Sequence, residues 1–425
     1  MMLMKLFFAL LLILVVWQIA DPDFQLSTKE VIVRKVPLMN VNYETIEAQS
    51  YLNKMRSAMD MQKLDNNKIL TQAAKAHANY LVLNNESGHI ETAKHRKFSA
   101  EKPFERAFLF GYMSQQVSEN LSTHNYNAHE SIDGLFSAIY HRFGFLSTTI
   151  NEIGIAIAQD EFDSDKSAFV YVMGNSDINT LCKGESYTER GSYFKGCKDE
   201  SHRIDGKEYM HAINYSKQVN PDIVVYPYDK QRGVPPVFYE EEPDPLPSHE
   251  VSGFPISVEF NDYFYTDVTL LSFSLYDREG TPVKVQPMDK ETDPNQRFTA
   301  NQFAIFPLKR LDYNEQYYVE IVYRVKGKIQ KKKWSFYTTR IQEEFHIVDK
   351  LYDELVIEAK TSYVIYFPPV DEHDLLKNLQ FPVEVNIQFL DHNTIKLTLI
   401  DEMSDELEEF TLDTGVKKLR LIVKR

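Results

Sequence analysis

Residues 136–146 read FSAIYHRFGFL. Apolar side chains recur there at helical spacing, a polar pair, His141 and Arg142, follows, and Gly144 predicts that the helix breaks just beyond them. Working backwards, HESIDGL extends this helix to 129–142, with Ile132, Leu135, Phe136 and Ile139 as its buried stripe. Working forwards, EIGIAIA (152–158) and AFVYVMG (168–174) read as strands. Upstream, Ala48, Leu52, Met55 and Met59 mark one helix. Leu70, Ala73, His77 and Leu81 mark a second, which Asp65 or Asn66 is positioned to cap. His77, between two alanines, reads as a packed or half-exposed side chain, and SENLS (118–122) as a polar loop. Helices around a small sheet predict an α/β layered domain.

The 425 residues carry a formal charge of −15, with 62 acidic against 47 basic side chains. This balance excludes a nucleic-acid partner, which needs a basic surface, and adsorption to anionic lipid. The run from Leu6 to Ala20 is apolar apart from Gln18 and is shorter than a typical membrane span. Residues 1–21 read as an export signal that is either cleaved or kept as an anchor, with a buried helix as the third alternative. Either leading case places the protein outside the cytoplasm: periplasmic, secreted or at the cell surface. The only two cysteines, Cys182 and Cys197, would then close a disulfide loop of about 15 residues.

Six of the 12 histidines fall between positions 77 and 141. Among them His89 follows a helix in SGHIET, and His141 ends the helix of AIYHR. Between these lie PFERAFLFGY, with Arg106, Gly111 and Tyr112, and SENLS, with Glu119 and Asn120; NEIGIAIA, with Gly154, follows. This order of motifs over about 46–175 resembles the CAP (SCP-like) superfamily of cysteine-rich secretory, antigen 5 and pathogenesis-related proteins, in its bacterial secreted branch. The resemblance implies an α-β-α sandwich in which His89, Glu119 and His141 face one cleft, supported by Arg106, Asn120 and Arg142. Many eukaryotic members have a second glutamate on the last helix, and Ala138 stands at or near its place here. Two imidazoles and a carboxylate suit a divalent metal such as zinc, which makes His89, Glu119 and His141 the candidate metal ligands. Arg142 reads as a salt-bridging residue or a charge at a helix C-terminus.

Other chemistry finds less support. HESID (129–133) lacks the second histidine of a zincin motif, and no nucleophile elbow surrounds Ser118, Ser122 or Ser137. Residues 176–250 read as the disulfide loop followed by a linker, since 234–255 holds six prolines and an acidic run. Strand-like runs then dominate. With PISVEFN (255–261), FSLYDREGTPV (273–283) and YYVEIVYRVKGKIQKKKWSFYTT (317–339), residues 251–340 resemble a bacterial Ig-like β-sandwich, and 341–425 read as a further β-rich module. The fold class expected is therefore α/β, a CAP-like sandwich followed by two β-rich modules. The function expected is binding of a metal ion, a lipid-like or cell-envelope ligand, or a protein partner. A metal-assisted hydrolase of extracellular polymers and a structural surface protein braced by the polar cluster are the alternatives.

Overall fold

The computed structural model describes residues 38–239, 241–358, 361–371, 373, 374, 376, 379, 385–399 and 408–424. The expected export segment at 1–21 lies outside them. The described residues divide into two compact units, one within Lys35–Phe345 and Pro369–Leu375, the other within His346–Pro368 and Leu376–Arg425.

In the first unit, helices α1 (Val41–Ala58), α2 (Lys68–Asn84), α3 (Pro103–Phe110), α4 (Ala128–Ser137) and α5 (Ile139–Phe145) surround a four-stranded sheet. Its strands are β1 (Asp65–Asn66), β2 (Val117–Thr123), β3 (Glu152–Gln159) and β4 (Ser167–Gly174), in the order β1-β3-β4-β2. Buried side chains on both faces explain the nearly unbroken apolar runs of β3 and β4. Period-two alternation divides them by size. Ile153, Ile155, Ile157, Phe169, Tyr171 and Met173 share a core with α1 and α4. Ala156, Ala168, Val170 and Val172 face α2 and α3. The small residues let α2 approach closely, and a Cβ on Gly154 would stand 2.0 Å from the Thr71 amide nitrogen.

Three local expectations need correction. The helix over 129–142 breaks at Ala138 (φ −71°, ψ 114°), not at Gly144, which lies inside α5. SENLS is part of strand β2, because residues 117–123 pair antiparallel with 168–174. The cap of α2 is Asn67, whose Oδ1 accepts from the amides of Ile69 and Leu70. Asp65 and Asn66 instead pair parallel with Glu152 and Ile153.

The expected linker is also ordered. Helices α6 (Ser176–Leu181) and α7 (Gly206–Gln218) lie within 176–250. Strand Ile223–Tyr226 pairs with Ile256–Phe260, and Gln231–Val234 pairs with Lys328–Thr338. Val237, Phe238, Leu246 and Val251 are buried among the prolines. Proline limits regular strand pairing here but leaves alternate apolar side chains free to pack. Residues 223–338 build one four-stranded and one five-stranded sheet. Their buried side chains, including Ile256, Val258, Ile321 and Trp334, join the same core as Phe136 and Phe145. The layered domain and this β region therefore pack as one unit.

Cys182 and Cys197 form a disulfide. Cys197 also bridges to the Ser114 backbone, which pins the loop beside β2. Replacing both cysteines by serine is expected to cost about 3 kcal/mol for a loop of this length, read from urea unfolding of the two proteins. In the second unit, the described strands form a four-stranded and a three-stranded sheet around Ile357, Ile365, Ile395, Leu397, Leu419 and Leu421.

Candidate functional site

The polar cluster is built from α2 and the loop that follows it, α3, β2 and α5. Gly88, at φ +93°, turns the chain after α2 and presents His89. The His89 Nδ1 lies 3.0 Å from Glu119 Oε1. Arg106, wholly buried on α3, donates through Nη2 to Glu119 Oε1 at 2.9 Å and Oε2 at 3.0 Å, and to the His89 carbonyl at 2.9 Å. Its Nη1 donates to the carbonyls of Ala100 and Glu101.

A second carboxylate lies behind this pair. Glu91 accepts from the Ser99 amide at 2.6 Å and faces His77 Nδ1 at 2.9 Å. The other ring nitrogen of His77 lies 3.0 Å from the Gly88 carbonyl and 3.7 Å from Glu119 Oε1. Both nitrogens of this buried ring thus face oxygen acceptors. Burial opposes ionisation of Glu119, but the His89 hydrogen bond and the charges of His77 and Arg106 outweigh it and hold the carboxyl below its usual range. Glu91 is likewise held low against burial, by His77, the Ser99 amide and Arg106. Arg106, Glu119, Glu91 and His77 form a buried ionic brace.

His141 stands beside His89. Its ring lies 6.1 Å from that of His89, centroid to centroid, with 27° between the planes. Asn120 donates to the His141 carbonyl at 2.7 Å and packs against Gly144, which fastens α5 to β2. The His141 Nδ1 lies 3.2 Å from Glu241 Oε1. Glu241 also accepts from the amides of Ile139 and Tyr140, and so caps α5 where the helix restarts after Ala138. No hydrogen-bond partner for Nε2 of His89 or His141 lies among the described residues.

The three expected cleft residues are therefore adjacent, but not as a three-ligand metal set. Among the described residues, no group of three or more His, Cys, Asp or Glu side chains is arranged to hold a metal ion. Both oxygens of Glu119 already face the Arg106 guanidinium, which would repel a cation. A metal would instead find two imidazole nitrogens, backed by carboxylates.

Arg106 and Asn120 hydrogen-bond within the cluster, whereas Arg142 points elsewhere. Its guanidinium donates to the carbonyls of Phe136 and Pro255 and stacks over Tyr226 at 4.8 Å and Phe254 at 5.1 Å. No carboxylate pairs with it among the described residues, and burial lowers its pKa to about 10. It joins the layered domain to the β region. His77, Glu91 and Glu241 are the site residues that sequence reading missed. Glu91 had a usable signal, two positions after His89, while Glu241 resembled one charge in a solvated acidic run.

Residues 49–175 match the model of the cysteine-rich secretory protein (CAP) family. These residues are a CAP domain. Among solved structures, the chain is similar to an extracellular SCP-domain protein from Bacillus anthracis (16% identity, TM-score 0.28, 32% of this chain and 44% of that one). It is also similar to an outer surface protein from Borrelia burgdorferi (15% identity, TM-score 0.29, 32% of this chain and 95% of that one). A third is a cysteine-rich secretory protein from Staphylococcus aureus (14% identity, TM-score 0.24, 32% and 40%). The chain thus spans less than half the length of the first and third. No curated protein matches it in sequence. The CAP domain is followed by the β-rich region described above.

Proposed function

We propose that the chain is an exported binding protein whose CAP domain holds a divalent transition metal, zinc being the natural probe, between His89 and His141. One observation carries this reading. Each ring sets its Nδ1 against a buried carboxylate, Glu119 for His89 and Glu241 for His141. A carboxylate behind an imidazole fixes the ring and directs the Nε2 lone pair to a ligand. The disulfide and the apolar run at 6–20 support export. Among the described residues, no helix is long and apolar enough to cross a membrane.

Binding is favoured over hydrolysis because Glu119 is engaged by Arg106 through both oxygens. A group so held is poorly placed to take a proton from water. The burial of Glu119 and Arg106 favours a second reading, in which the whole cluster is a brace. Calorimetric titration of the full chain with zinc separates the two. Stoichiometric binding that disappears in His89→Ala/His141→Ala, with the fold retained, is expected. Heat no larger for the native chain than for the double variant would leave only the brace.

A further inference from the structure

We infer that Glu241 is a positioning residue for His141, so that the two-histidine cleft is completed by the segment after the CAP domain and not by that domain alone. This deepens the binding reading and rests on it. The side chain of Glu241 is 2% exposed, and three nitrogens converge on its carboxylate: the amides of Ile139 and Tyr140 and the His141 ring. The residue lies well beyond position 175, where the family match ends.

The same face of α5 is held at a second place. Asn295 donates to the Tyr140 hydroxyl at 3.0 Å and to the Asp244 carbonyl at 2.7 Å, while the Tyr140 hydroxyl donates to Asp293. Phe298 meets Tyr140 and Phe143 edge-on, with centroids 5.9 and 5.1 Å away. Tyr140 and His141, adjacent in sequence, are thus both gripped by the β region. Ala138 offers no side-chain carboxylate to this end of the helix, and Glu241 brings one from another part of the chain.

The chemical consequence follows from what a carboxylate can do. It only accepts, so the neutral His141 ring keeps its proton on Nδ1 and its lone pair on Nε2. Without Glu241 the proton is free to occupy Nε2 and hide the lone pair. Capping of α5 is a different role for the same carboxylate, and two substitutions separate them. Glu241→Ala removes both. Glu241→Gln keeps an oxygen for the helix amides, but its amide nitrogen can also donate to the ring.

The test is ring-nitrogen NMR of the metal-free full chain carrying ¹⁵N-histidine, with the His141 signals assigned by their loss in His141→Ala. The native protein is expected to show His141 protonated on Nδ1. Glu241→Ala should move the population to Nε2–H, and Glu241→Gln should give a mixture, with the His89 signals unchanged in both. Zinc affinity should fall about 10–100-fold in Glu241→Ala. An unchanged His141 tautomer in Glu241→Gln would reduce Glu241 to a helix cap and overturn the inference, even where Glu241→Ala fails to fold. Failure of the native chain to bind zinc would overturn the binding reading alone, because the tautomer is measured without metal.

Discussion

Arg106→Met will destabilise the CAP domain by about 3–5 kcal/mol, the range for removing one partner of a buried ion pair. The substitution keeps much of the side-chain volume, so the loss is electrostatic. Glu119, whose side chain is 1% exposed, would keep His89 and His77 beside it but lose its bidentate partner. The carbonyls of His89, Ala100 and Glu101 would lose their donor as well. Urea unfolding followed by circular dichroism measures the effect. Adding Glu119→Gln to Arg106→Met should restore part of the loss, since it removes the stranded charge, and the double-mutant cycle gives the coupling. A loss below about 1 kcal/mol would mean that the brace contributes little to stability.

The same network sets an acid limb. The ordinary value for a glutamate is 4.5, and both Glu91 and Glu119 titrate below it in the folded protein. Their contribution to stability is therefore fully present above about that pH and is lost as pH falls through the lower folded values. Arg106→Met removes one of the charges that hold Glu119 low, so its acid limb should move to higher pH than that of the native chain.

Gly154→Ala is expected to be at least as damaging, at about 3 kcal/mol or more, or to prevent folding altogether. A Cβ at this position would lie 2.0 Å from the Thr71 amide nitrogen, 2.1 Å from the Leu70 carbonyl carbon and 2.6 Å from the Leu70 Cβ. Two of these are backbone atoms of α2, which no rotamer change can move. Relief requires the helix to lift from β3, which would open the core formed by Leu70, Ala73, Ala74, Ala156 and Val170. Gly134, on the exposed side of α4, is the control. A Cβ there meets nothing within 4 Å, so Gly134→Ala should be neutral or mildly stabilising. Equal unfolding midpoints for the two variants would mean that α2 does not sit as close to β3 as these distances require.

Much of the CAP domain was legible because its signals are local. Helix periodicity in 48–59 and 70–81 and the apolar runs of β3 and β4 follow from which residues must share a face. His89, Arg106, Glu119, Asn120 and His141 were found by the order of their motifs. The cap of α2 was missed by one or two positions, because Asp65, Asn66 and Asn67 offer similar side chains and only sheet pairing assigns the first two to a strand. SENLS was misread because a two-sided strand with a glutamate in its middle looks polar until Arg106 and His89 are brought to it. Arg142 does lie in the last turn of α5, but its partners in the Pro255 carbonyl and the rings of Tyr226 and Phe254 were not legible, because they stand more than 80 residues away and have no charge pattern to read.

The sequence by itself determined the layered α/β domain and the disulfide pair, since these rest on local periodicity and the only available cysteines, while the shared cleft of His89, Glu119 and His141 was implied by the family resemblance. The tertiary structure alone decided that the proline-rich stretch is packed, that both oxygens of Glu119 face the Arg106 guanidinium, and that Glu241 holds His141 across 100 positions. These contacts depend on where distant segments come to rest. Burial then turns an ordinary acidic residue into one with three directed hydrogen-bond partners, and nothing in its immediate neighbours records that outcome.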